Sequence, residues 1–359
     1  MAHLSLRDRD GIVTREGLIF RVFGYSHPQN AFICDAEYAS GNIFVSNDPR
    51  ALRNGGNQIF YKFYNDEGWK LVFNQFPQYT VFHEMLGQKV VGVNHGDVAE
   101  ARKPEERLRA LVATEPKDEL QDAMQRVLKI VSEGSGLTAN NFGVFGSTLH
   151  GFHHPKFSDI DLIVYGKEKI TAVQETLEAL YANGLSGFRN EFETIAAMKG
   201  KQWRFKNYSV KEFVWHQQRK QIYGLFDDGR SGRTIKAEFE PVKEWSEITS
   251  EYDSNAKILH KGWAKLNARV TDDADAPFIP SVYGIEPLEV SSGAREALEA
   301  VRIISYLEEF RLQARKDEKV VVEGNLEEVV SPTGRFHQVT LTYCPRYYEQ
   351  VLKVAALNP

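Results

Sequence analysis

The stretch from Asn141 to Gly166 constrains the fold more than any other part of this chain. A short apolar run, Phe142 to Phe145, breaks at Gly146-Ser147. After 11 further residues, Asp159-Ile160-Asp161 leads straight into Leu162, Ile163, Val164 and Tyr165. An apolar run of that length closed by Gly166 reads as a buried strand. Side chains alternate along a strand, so Asp159 and Asp161 project from the same face. Two carboxylates at the mouth of an apolar strand repel each other unless a cation compensates them. The pair therefore predicts a site for a divalent metal.

The flanking sequence supplies the elements that such a strand needs. Residues 104–113 and 116–133 read as helices, the second with Leu120, Met124, Leu128 and Val131 at helical spacing and a stop at Gly134-Ser135-Gly136. An amphipathic helix is expected over 169–183. A capping box, Ser209 with Glu212, opens another that runs to about Tyr223 or Leu225. Residues 233–242 read as a strand that brings more carboxylates. Residues 1–105 are mostly strand-like, with β-branched and aromatic runs at 17–23, 31–34, 42–45 and 89–93, separated by turns such as Asn54-Gly55-Gly56-Asn57. Their aromatics read as the core of an antiparallel β unit rather than as a stacking platform. Beyond residue 251 strands are expected at 302–306, 318–323 and 336–343, arranged as a small barrel or meander. The fold class is therefore α+β. A β-rich domain at 1–105 and another at 251–359 flank a central domain at 106–250, a mixed sheet with helices on one side.

Composition narrows the function classes. A formal net charge of −5 argues against a constitutively basic nucleic-acid coat, without excluding a local basic groove. Cys34 and Cys344 are too few and too far apart for a disulfide framework or a zinc ribbon. The first residues lack the apolar core of a signal peptide, and no apolar run approaches the length of a membrane helix. These readings point to a cytoplasmic protein with no membrane association and both thiols free.

A Gly-Ser turn followed by Asp-apolar-Asp on a strand resembles the signature of the nucleotidyltransferase superfamily, which has the DNA polymerase beta-like fold. Every position of that pattern is filled here: Phe145, Gly146, Ser147, Asp159, Ile160, Asp161 and Leu162. The resemblance covers roughly residues 116–245, and the three-part chain looks like uncharacterised archaeal nucleotidyltransferase-domain proteins. It implies transfer of a nucleoside monophosphate from an NTP to an acceptor hydroxyl, with release of pyrophosphate. The cofactor implied is Mg²⁺, or alternatively Mn²⁺, held by Asp159 and Asp161, because hard cations take carboxylate oxygens. Gly146 would let the backbone approach phosphate. Ser147 and the start of the following turn, with Thr148, would bind it.

The family usually adds a third carboxylate on a neighbouring strand, as metal ligand and base. Alternation along 234–242 puts Lys236, Glu238 and Glu240 on one face, so Glu238 is the first choice and Glu240 the second. One departure matters. Small members often carry an arginine shortly after the turn, and here His150 stands in its place, which removes a permanent positive charge. His150, with His153 and His154 that follow, reads as a polar loop residue bordering the nucleotide, in preference to a zinc site, which lacks a fourth ligand. Residues 199–220 hold seven basic side chains against one acid, with Trp203, Phe205, Tyr208, Phe213 and Trp215 interleaved. The cluster reads equally as a surface for triphosphate or an RNA end, with Lys220 as a nucleotide contact, and as core aromatics beside solvated lysines. The acceptor, whether an RNA 3′ end, a small molecule or a protein, stays open, as does the oligomeric state. The alternative function is a nucleotide-binding regulatory or interaction protein that kept the fold and lost turnover.

Overall fold

In the computed structural model, which describes residues 4–184, 187–199, 201 and 203–355, the chain is α+β and divides into two units. The first comprises the described residues within 1–83, 87–188 and 225–252, and the second those within 84–86, 189–224 and 253–359. The segment expected as an N-terminal domain and most of the expected central domain thus lie together in the first unit.

The N-terminal part of that unit is a sheet built from β1 (Gly11–Val13), β2 (Leu18–Val22), β3 (Ala31–Ser40), β4 (Leu52–Asn54), β5 (Ile59–Lys62), β6 (Thr80–His83), β7 (Gln88–Asn94) and β8 (Glu100–Arg102), with α1 (Glu67–Gln75) between β5 and β6. The main path runs β4-β5-β3-β2-β1-β8, and the β6–β7 hairpin joins through β3. Its core holds Ile12, Leu18, Phe20, Val22, Phe32, Leu71, Val72, Val91 and Val93. Residues 42–45, expected as a strand, form a turn, and the expected β-only region contains α1. Four consecutive charged residues ahead of β1, Arg7, Asp8, Arg9 and Asp10, are buried.

Helices α2 (Pro104–Val112) and α3 (Glu119–Ser135) lead into β9 (Phe142–Val144), the short α4 (Gly146–His150), β10 (Ile160–Tyr165) and α5 (Lys167–Asn183). Next come β11 (Phe188–Asn190), α6 (Val210–Gln218), β12 (Tyr223–Asp228) and β13 (Arg233–Val242). Helix α3 begins at Asp118, whose side chain accepts hydrogen bonds from the Leu120 and Gln121 N–H groups, and it buries Leu120, Met124, Leu128 and Val131. The strands form a mixed sheet in the order β11-β12-β13-β10-β9. β10 is parallel to β13 and antiparallel to β9. Both faces of β10 are apolar below its first turn, with Leu162, Ile163 and Val164 buried, which is why the sequence shows an unbroken run rather than alternation. The capping box of α6 forms as expected, Ser209 with Glu212, but the helix ends at Gln218 instead of near Tyr223. Gln221 adopts a φ of 52°, which breaks the helix before β12 starts.

The second unit holds β14 (Lys257–Asp275), β15 (Ser281–Ser292), β16 (Ala300–Ser305), β17 (Lys319–Ser331), β18 (Gly334–Leu341) and β19 (Val351–Val354). Pairing runs β14-β15-β16-β18-β17 and returns from β17 to β14, so five strands close into a barrel. All of its pairings are antiparallel except β16 with β18. This is the connectivity of an OB-type barrel. Its core takes in Phe205, Tyr208, Phe213 and Phe310, with Trp203 packed against it. The aromatics interleaved with the basic residues of 199–220 therefore pack in this unit, as in the core reading of that stretch.

Candidate active site

The site begins at the break between β9 and α4. The Phe145 N–H donates to the Asp161 carbonyl at 2.9 Å, which ties the turn to the start of β10. Gly146 follows with φ +60°, and a Cβ there would stand 2.5 Å from Asp161 Oδ2. Only glycine lets the turn come this close to the carboxylate. Ser147 Oγ donates to Ser158 Oγ at 3.4 Å, and the His154 N–H donates to the same Ser158 oxygen at 2.9 Å. These bonds draw the loop between the turn and Asp159 back over α4. Thr148 is buried, its carbonyl accepts from Arg107 Nε at 3.3 Å, and it lines a small pocket with Gln121, His153 and Asp159.

Asp159 is exposed just ahead of β10 and Asp161 is half-buried two residues on. In the parallel ladder Asp161 stands opposite Glu238, and Ile163 stands opposite Glu240. Paired residues of neighbouring strands share a face, so Asp159, Asp161, Glu238 and Glu240 all lie on one side of the sheet. The Asp161 carboxyl is pushed well above the ordinary carboxylate range, first by loss of water and then by the charges of Glu238 and Asp159, with Lys62 opposing. Carboxylates crowded together so that one of them retains its proton are the donor set that a hard divalent cation relieves.

The two glutamates differ. Glu240 is buried and meets Arg9 Nη2 at 2.8 Å from Oε2, so its charge is already met inside the protein. Glu238 is half-buried and forms an ion pair with Lys236 on the same strand face. Of the two, Glu238 is therefore placed beside Asp161. Among the described residues no three His, Cys, Asp or Glu side chains already converge as a formed metal site.

The N-terminal sheet forms part of this site, which local patterns in the sequence do not signal. Arg9 lies over the Phe145 ring at 4.9 Å and Arg21 at 5.9 Å. His150 points inward, with its side chain out of contact with solvent. Its Nδ1 lies 3.2 Å from Arg102 Nη1, and its ring packs on Tyr38 at 5.4 Å and on Phe152 at 5.6 Å. Burial lowers its proton affinity, against the Glu37 carboxylate 3.7 Å from Nε2, and the ring lies between the turn and the N-terminal sheet instead of facing a ligand. His153 Nε2 pairs with Asp118 Oδ2 at 2.9 Å, the residue that caps α3, and His154 packs on Phe157 at 4.5 Å. Lys220 belongs to the second unit, where it is buried and donates to the Glu309 carbonyl at 2.7 Å.

Residues 124–216 match the family model described as "Nucleotidyltransferase domain". The chain is also similar to the uncharacterized protein MJ1086 of Methanocaldococcus jannaschii, at 27% identity over 98% of this chain and 99% of that one. No solved structure gives a significant match.

Proposed function

We propose, for a chain that carries a nucleotidyltransferase domain over residues 124–216, that it transfers a nucleoside monophosphate from an NTP to an acceptor hydroxyl and releases pyrophosphate. The observation that carries the reading is the placement of Gly146 against Asp161, with Glu238 opposite Asp161 on the parallel strand. A phosphate-approaching turn and a crowded carboxylate face then share one point of the sheet.

In this reading Asp159 and Asp161 hold Mg²⁺ or Mn²⁺, with Glu238 as the third carboxylate. The cation, when bound, supplies positive charge to the attacking oxygen and the α-phosphate. Gly146 leaves room for the phosphate chain, and the Ser147 hydroxyl and Thr148 orient it. Glu238, which would be the third carboxylate to hold the cation, would accept the proton of the acceptor hydroxyl. Glu240 keeps its partner Arg9 and stays out of the chemistry. No helix among the described residues is long and apolar enough to cross a membrane. The acceptor class is an RNA 3′ end, a small molecule or a protein hydroxyl.

The test is incubation with each α-labelled NTP, Mg²⁺ or Mn²⁺, and total RNA or cell extract. Label transfer with the wild type and its loss with Asp159→Asn or Asp161→Asn supports the enzyme. Tight NTP binding without pyrophosphate release for any acceptor sinks it. That outcome supports the second reading, a nucleotide-binding regulator. The Lys236–Glu238 ion pair and the buried His150, in place of an arginine, favour the regulator.

A further inference from the structure

The carboxylate face described above is strongly negative, and a triphosphate brought to it carries several negative charges of its own. A bound divalent cation offsets only part of this, so the protein must supply fixed positive charge close to Asp161. The nearby cations divide clearly. Lys236 is paired with Glu238, Arg9 with Glu240, and Arg102 with Glu100 and the His150 ring. His150 is enclosed, with Glu37 3.7 Å from its Nε2. Among the described residues Arg107 and Arg233 also lack a carboxylate partner, but they donate to the backbone carbonyls of Thr148 and of Pro155 and Ser158, whereas the Lys62 ammonium has neither a carboxylate nor a carbonyl partner.

Its position follows from the ladder. Lys62 ends β5 and stands opposite Tyr38 of β3. Facing residues of an antiparallel pair project from one face of the sheet. On that face the Tyr38 ring packs against His150 at 5.4 Å and against Phe152 at 5.5 Å. Phe60, two residues before Lys62 and so on the same side, stacks on Phe152 at 4.5 Å. The face carrying Lys62 is therefore the one that packs on the end of α4, the short helix that the Gly146-Ser147 turn opens.

We propose that Lys62, contributed by the N-terminal sheet, is a binding residue for the phosphate chain of the nucleoside triphosphate at the Gly146-Ser147 turn. The N-terminal sheet is then part of the nucleotide site rather than an appended module. This inference rests on the nucleotidyl-transfer reading above.

The experiment measures equilibrium binding of the four NTPs, with their monophosphates and nucleosides, in Mg²⁺. The proteins compared are the full-length wild type, Lys62→Ala, Lys62→Gln and Lys62→Arg. Loss of a charged contact to phosphate weakens NTP binding by about tenfold or more in the alanine and glutamine variants. Arginine restores most of it, and nucleoside affinity moves by less than about twofold. Thermal melts identify any variant that fails to fold, and the remaining two then decide. Triphosphate binding unchanged in Lys62→Ala or Lys62→Gln overturns the proposal, as does an equal loss for nucleoside and triphosphate. A wild type that binds no NTP overturns the nucleotidyl-transfer reading and this inference with it, and that failure appears without any substitution.

Discussion

Arg9 and Glu240 are separated by 231 residues in the chain, yet their side chains meet at 2.8 Å inside the protein. Neither has an appreciable route to water. The pair ties the segment before β1 to β13, and the same guanidinium lies over Phe145, one residue before the turn. Removing one partner leaves a buried charge uncompensated. Arg9→Ala is therefore expected to destabilise the protein by about 3–5 kcal/mol. Replacing both partners by apolar residues of similar size is expected to be milder. Urea unfolding of the single and double variants measures the difference, and equal losses for both would show that the pair is not the cause.

Asp161 holds its proton more tightly in the folded protein than it would in an unfolded chain. For a carboxylate with a raised folded value, the associated stability is present below the unfolded value and lost as pH rises through the folded one. At neutral pH, without divalent metal, Asp161→Asn is therefore expected to raise the melting temperature by on the order of a few degrees. Added Mg²⁺ is expected to stabilise the wild type and to do little for the variant. A melting temperature lower in Asp161→Asn than in the wild type, without metal, would contradict the crowding argument.

Asp10 offers an independent pH signature away from the site. Its carboxyl is pushed up to about 8, chiefly by burial, although it accepts the Arg7 N–H at 3.0 Å. Folded and unfolded chains then differ by one bound proton between the unfolded carboxylate value and about 8. Stability should fall across that window by up to about 1.4 kcal/mol per pH unit and level off above it. Asp10→Asn keeps an acceptor for the Arg7 N–H and should remove this component of the slope. Chemical denaturation at a series of pH values tests it by comparing the two slopes.

Gly146 combines a positive φ with the close approach to Asp161. Gly146→Ala therefore meets both backbone strain and a contact that must give way. A loss of about 1–3 kcal/mol in stability is expected. If the proposed function holds, transfer falls further than stability does, because the shift displaces Asp161. Activity measured well below the variant's melting temperature separates the two effects.

Much of the central architecture was legible because its determinants are local. The apolar run after Asp161, the glycine at the turn and the capping box at Ser209 each act within a few residues. The strand expected at 233–242 matches β13, Arg233–Val242. Alternation along that strand also places Glu238 and Glu240 on one face. The second unit was less readable. β14 and β15 were not anticipated, since β14 mixes lysines and asparagine with short apolar residues and is held by pairing to β15 and β17. Barrel closure depends on those partners, not on the strand's own composition.

What the sequence determined by itself is the turn, the paired aspartates and the strand that carries them, because backbone sterics and side-chain alternation act at short range. Tertiary structure alone decided which glutamate stands beside Asp161, where His150 points and what surrounds the site. Glu240 is withdrawn by Arg9, His150 is enclosed by Tyr38 and Phe152, and Lys62 arrives from a strand nearly a hundred residues upstream. Each depends on two distant segments sharing a low-dielectric interior. There, burial and pairing set the charge of a side chain more strongly than its neighbours in the chain do.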